Sequence, residues 1–186
     1  ELPNDAREQL INIGLNRFQA ADISAELRAF WWPSFIKTAD WILAQEAICR
    51  PAIKQIYNEV EGQMQINAPA GPFIAEARAD RLNYNLDGSV DIIDYKTGRT
   101  RSNKQVRSGY APQLPLEGLI AAAGGFSKNG KQIAAGSVGK LCYWKLGEKV
   151  IEITETEKIL EQTYEQLQQL IAAFDFETTP YLVRPN

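Results

Sequence analysis

A chain of 186 residues, 45% hydrophobic and 23% charged, suits one domain with a sizeable core. Its net charge of −3 excludes a surface coated throughout for nucleic acid, and no apolar run is long enough to span a membrane. Cys49 and Cys142 lie far apart and histidine is absent, so no zinc or iron–sulfur site is expected, and buried free thiols fit a reducing cytoplasm.

Pro3-Asn4-Asp5 predicts a helix start with Asn4 or Asp5 as cap, and Ile11, Leu15 and Phe18 follow at helical spacing. A short second helix is expected over residues 23–30. Pro33 then opens a third, carrying Phe35, Ile36, Ala39, Ile42, Leu43 and Ala47 on one side and stopping near Pro51. Trp31 and Trp32 could stack on bases, although such residues more often pack between helices. From Ile53 the pattern turns to period two, with Ile56, Val60, Met64 and Ile66 fitting strand. Residues 67–72 read as a turn and 73–84 as the next strand. Asp87-Gly88 supplies the positive φ of a tight hairpin. Residues 90–95 form a short strand, apolar except at Asp91 and Asp94, the pattern of a mid-sheet strand.

Residues 96–108 are polar and predict a loop or short helix. Residues 112–124 predict a helix with Leu114, Leu116, Leu119, Ile120 and Ala123, ended by Gly124-Gly125. Residues 133–146 and 149–154 predict a strand pair turning at Gly147. Residues 155–174 predict an amphipathic helix with Ile159, Leu160, Tyr164, Leu167, Leu170 and Ile171 inward. The tail from Glu177 is expected to be loosely held. The order predicts a mixed α/β domain, with helices flanking a central, mainly antiparallel sheet.

The chemistry concentrates at Asp80 and Asp94-Tyr95-Lys96. Both acids stand well back from the hairpin turn, so they can meet across neighbouring strands. Lys96, two residues after Asp94, shares its face, while Tyr95 points away and leaves a backbone carbonyl as a further ligand. Mg²⁺ is commonly held by one or two carboxylates, water and substrate phosphate. A metal beside an ammonium group is the equipment of phosphodiester hydrolysis. A surface Asp94–Lys96 ion pair is the plain alternative. The apolar Ile92-Ile93 before Asp94 argues against it, because a carboxylate buried there needs partners. Arg99, Arg101, Lys104 and Arg107 follow Lys96 with no acid among them, a block suited to phosphate contacts.

Asp80 with Asp94-Tyr95-Lys96 resembles the PD-(D/E)xK nuclease signature. The longer string A-D-R-L-N…D-G…I-I-D-Y-K-T-G…Q-V-R-S-G-Y-A-P-Q-L-P-L-E-G is similar to the RecB-like nuclease domains at the C-terminus of AddB-type double-strand break repair subunits, in their alphaproteobacterial form. The segments A-F-W-W-P-S-F and Y-W-K-L add to that resemblance. It implies a restriction-endonuclease-like α/β core, a central mixed sheet flanked by helices, over the whole chain as a single domain. It further implies Mg²⁺-dependent DNA hydrolysis, with Mn²⁺ as a substitute, on single strands unwound by an AddA-like helicase–nuclease partner. By position, Asp80, Asp94 and the Tyr95 carbonyl would be metal ligands, Lys96 the catalytic lysine, and Gln113 the glutamine of the motif that follows the catalytic strand. Glu117 stands where that motif often carries tyrosine. A glutamate or histidine from upstream often completes the site. Glu59 and Glu61 are the candidates here, and Glu61 is favoured. The family's upstream G-x-x-x-H helix and last helical segment have no counterpart, which implies a piece of a longer protein with an incomplete, inactive metal site.

Two other readings compete. Gly125 to Lys131 fits GxxxxGK, but Gln132 replaces the metal-binding Ser or Thr and the segment follows a helix and precedes a strand, so a plain turn is expected. A nuclease fold kept only for DNA binding or assembly is the alternative to an enzyme.

Overall fold

The structure, a computed structural model, describes residues 2–180; the last part of the expected loose tail, residues 181–186, lies outside the described residues. Helices α1 (Ala6–Ala20) and α2 (Ala25–Cys49) lead into three strands, β1 (Ile53–Ala68), β2 (Gly71–Asn85) and β3 (Val90–Lys96). Then come α3 (Asn103–Arg107) and α4 (Gln113–Ala122), four strands, β4 (Phe126–Lys128), β5 (Lys131–Gln132), β6 (Val138–Lys145) and β7 (Lys149–Ile153), and α5 (Thr156–Phe174). The strands make one mixed sheet in the order β5-β4-β1-β2-β3-β6-β7. Every pairing is antiparallel except β3 with β6. This is the α/β architecture expected, with β3 in the sheet interior.

The hairpin turn forms as its residues require. Gly88 takes φ 87, and its N–H donates to the Asn85 carbonyl at 3.1 Å. Helices α4 and α5 cover one face of the sheet, over a core that includes Val60, Leu82, Ile92, Leu114, Leu141 and Ile159. The other face is smaller: Ile93, Cys142 and Trp144 meet Trp41 and Cys49 of α2. At Gly118 of α4 an added Cβ would lie 2.8 Å from Leu160 of α5, so glycine sets how closely these helices approach.

Two sequence expectations change, and a third is met. The two helices expected over residues 23–30 and from Pro33 onward are one, α2, with Pro33 inside it. Proline costs that helix one backbone bond, but side-chain packing continues through the site. Ser24 caps the start, accepting from Leu27 N–H at 3.3 Å. Trp32, Phe35 and Phe18 of α1 cluster with ring centroids 5.1–6.0 Å apart. The strand expected from residue 133 begins only at Val138. Finally, Gly125 to Lys131 holds strand β4 and a turn into β5, with Asn129 and Gly130 at φ 52 and 73. It is a hairpin turn, not a phosphate-binding loop.

Candidate active site

Strands β2 and β3 pair from Tyr84↔Val90 to Arg81↔Ile93, and there the ladder stops. One rung further, the same register sets Asp80 opposite Asp94. Asp80 supplies the acceptor that the ladder no longer provides: Tyr95 N–H donates to Asp80 Oδ2 at 2.9 Å. The N–H and C=O of an extended residue point to the same side of its strand, so the Tyr95 carbonyl faces this gap as well.

Asp80 sits where the strand alternation slips. In β2, Ala75, Ala77 and Ala79 pack with the core, and then Leu82 and Tyr84 do. In β1 the same break falls between Tyr57 and Val60, at Glu59, which takes φ 50. The two slips oppose each other, so Asn58↔Arg81 is followed by Val60↔Ala79 without a change of register. Lys128 Nζ donates to the carbonyls of Asn58 (2.6 Å) and Glu59 (3.1 Å) beside the distortion.

Asp94 is only 1% exposed. Lys96 Nζ donates to its Oδ1 at 2.8 Å and lies 2.7 Å from Oδ2, which accepts no hydrogen bond. Burial pushes the Asp94 carboxyl above its usual range; Lys96 opposes this, and the charge of Asp80 adds to it. Lys96 also donates to Gln113 Oε1 at 3.4 Å, and Gln113 Nε2 donates to Glu117 Oε1 at 3.1 Å. Gln113 and Glu117 are four residues apart on α4, so they lie one turn apart on the same face.

Glu117 is the residue that sequence reasoning passed over. It is 1% exposed, and its Oε2 has no hydrogen-bond partner. Burial pushes its carboxyl up to about 8; the Gln113 hydrogen bond opposes the shift, and the charges of Asp94 and Asp80 reinforce it. A signal was present: this acid stands among Leu114, Gly118, Ile120 and Ala121 on a helix with scarcely any polar face, and all of these are buried.

Other predicted residues fall elsewhere. Glu61 pairs in register with Arg78 and Ser127, and it is exposed between the inward-facing Val60 and Gly62. Glu59 ion-pairs with Arg78 at 2.8 Å. Neither upstream glutamate therefore joins Asp80 and Asp94, because strand alternation turns them away. Arg99, Arg101, Lys104 and Arg107 are all exposed just after Lys96. Arg101 lies over the Tyr110 ring at 5.7 Å. Arg107 is engaged with Thr154 Oγ1 (3.0 Å) and with Glu155, pinning α3 to the start of α5.

Beneath the gap, on the opposite face, lies a second buried charge. Arg81, 3% exposed, donates to Asn83 (2.7 Å), to the Tyr95 hydroxyl (3.1 Å) and to Glu46 of α2. Arg50 holds the other side of Glu46 at 2.8 Å. Burial acts against ionised Glu46, yet the bonds from Arg81 and Arg50 outweigh it and keep the carboxyl below its usual range.

Among the described residues no three His, Cys, Asp or Glu side chains converge closely enough to hold an ion alone. A hard divalent cation does not require three, since carbonyls and water complete its shell. Asp94 Oδ2, which ion-pairs with Lys96, and Glu117 Oε2, which lacks a hydrogen bond, are together with Asp80 oxygen donors of the kind Mg²⁺ or Mn²⁺ takes. The thiols lie on the other face, where burial pushes Cys142 up to about 12.

Two opposed aspartates where sheet strands part, with a lysine on the same face, match the acid–acid–lysine pattern of the PD-(D/E)xK signature. The chain belongs to the PD-(D/E)XK nuclease superfamily, which matches residues 5–183. It is also similar to uncharacterized proteins of Rickettsia. RC0550 of Rickettsia conorii is 26% identical over 75% of this chain and 17% of its own length. A Rickettsia felis protein is 28% identical over 82% of this chain and 18% of its own. The chain thus spans less than a fifth of these relatives. The solved structure of SSO0001 aligns over 82% of this chain and 69% of that one, with 19% identity and a TM-score of 0.35. No helix among the described residues is long and apolar enough to cross a membrane.

Proposed function

We propose that this chain is the DNA-cleaving domain of an AddB-type subunit. It would hydrolyse phosphodiesters with Mg²⁺, or with Mn²⁺ in its place, on strands unwound by an AddA-like partner during double-strand break repair. The observation that carries the reading is Asp94: a carboxylate 1% exposed, opposite Asp80, with one oxygen accepting no hydrogen bond. Lys96 meets this buried carboxylate at 2.7–2.8 Å, yet burial still pushes the carboxyl upward, so a second positive charge at the gap would offset the remaining cost.

Asp80, Asp94 and the Tyr95 carbonyl would hold the cation. When bound, the metal offsets charge developing on the phosphate and eases deprotonation of a water. Lys96 is held between Asp94 and Gln113, and its remaining N–H can orient the attacking water or donate to a phosphate oxygen. Gln113 fixes Lys96 from α4 and keeps the ammonium over the gap. Tyr95, anchored to Arg81 on the far face, fixes the backbone that carries its carbonyl. Arg99, Arg101 and Lys104, exposed beside the gap, suit the sugar-phosphate backbone.

The test is cleavage of single-stranded and unwound duplex DNA by the full-length protein with its helicase partner, in Mg²⁺ against EDTA. Loss of cutting in Asp94→Ala with unwinding intact supports the reading. Equal cutting by Asp94→Ala rejects it and leaves a module for DNA binding or assembly.

A further inference from the structure

The acids and cations at the gap between β2 and β3 do not balance. The charge of Asp80 bears on Asp94, the charges of both bear on Glu117, and Lys96 is a cation that acts on Asp94 and Glu117. Among the described residues, the buried side-chain polar atoms lacking a hydrogen bond are Asp94 Oδ2, which has Lys96 as its ion-pair partner at 2.7 Å, and Glu117 Oε2, and both belong to this group. Each residue is 1% exposed, so bulk water does not readily serve them. A purely structural role for Glu117 leaves its Oε2 unexplained: ionised, that oxygen lacks a donor, and protonated, its O–H lacks an acceptor. An apolar side chain would fill the position on α4 at less cost. Gln113 links Glu117 to Lys96, and Lys96 links on to Asp94, so the acid is held in line with the gap.

We propose that Glu117 is the third acidic member of this chain's cation site, presented from α4 and completing what Asp80 and Asp94 begin. The proposal rests on the nuclease reading of the gap. Because the three carboxylates do not converge on one point among the described residues, Glu117 would serve a bound ion from a distance, as a negative charge and a hydrogen-bond acceptor rather than a direct ligand. It takes the place that the exposed Glu59 and Glu61 leave empty.

Fe²⁺ in place of Mg²⁺ tests this without reference to DNA cutting. With ascorbate and peroxide, a bound Fe²⁺ cleaves the polypeptide beside its own site. In the full-length protein we expect fragments ending near Asp80, near Asp94 and at the start of α4, suppressed by excess Mg²⁺. Glu117→Gln should require at least about tenfold more Fe²⁺ for the same fragments. Glu117→Met, of similar volume and without charge, should behave alike, and either folded variant serves if the other does not fold. Native-like cleavage in both variants, with loss in Asp94→Ala, overturns the role of Glu117 and leaves the nuclease reading standing. No local cleavage in the native protein, or cleavage unchanged in Asp94→Ala, overturns both.

Discussion

The two faces of the sheet at the end of the β2–β3 ladder bury charge in opposite ways. On the α2 face, Arg81 is bonded to Glu46, Asn83 and Tyr95 and lies 5.2 Å from the Trp144 ring centroid. Its partner Glu46 stays readily ionised. On the α4 face, Asp94 and Glu117 are buried as deeply, each with an oxygen lacking a hydrogen bond, and both carboxyls are pushed upward. A buried charge whose partners are complete holds structure together. A buried charge left incomplete is costly unless a ligand completes it.

The comparison breaks most visibly at Asp94. Asp94→Ala should lower DNA cleavage by on the order of a thousandfold or more, because it removes the proposed cation ligand and the partner of Lys96. Metal-free thermal stability should fall little or rise, since a strained acid is lost, and parallel cleavage and melting assays read both effects. On the other face the outcome should reverse. Arg81→Met should cost about 3–5 kcal/mol of stability by leaving Glu46 buried and half-paired, and Arg81→Met with Glu46→Leu should recover much of it. Denaturant unfolding of the three variants measures this, and a double variant no better than the single would show that packing, not charge balance, matters there.

Glu117 sharpens the contrast through pH. Its carboxyl titrates at about 8 in the folded chain against 4.5 for the free group. The folded state therefore keeps a proton that the unfolded state loses as pH rises above about 4.5. Any stability due to this proton is fully present below that value and is lost progressively as pH climbs to about 8. Glu117→Gln should accordingly be more stable than the native chain by on the order of 3 kcal/mol at pH 8 without metal, and the gap should close towards pH 4.5. Melting temperatures across that range check the sign. The smallest effect is expected outside the gap. Replacing Arg99 and Lys104 together by alanine should weaken single-strand binding and reduce its salt slope by about 1.4. Arg107→Ala should act mainly on stability, because its partners are Thr154 and Glu155.

Much of this molecule follows from local sequence. Period-two patterning marks β1 to β3, Asp87-Gly88 closes their hairpin, and the spacing of Asp94 and Lys96 places both on one face. Asp80 and Asp94 meet because both count back from the same turn. Other features depend on partners distant in the chain. Pro33 stays inside α2 because aromatic packing with α1 spans the break, a contact that helix propensity does not register. Glu59 and Glu61 are turned away by strand alternation and by a slip that shows only once two strands are paired. Residue type and period therefore determined the elements and the acidic hairpin. Tertiary structure alone decided which charges are completed: Arg81 finds Glu46 across 35 residues of chain, whereas Asp94 and Glu117, set on one side of the sheet by α4, share the influence of Lys96.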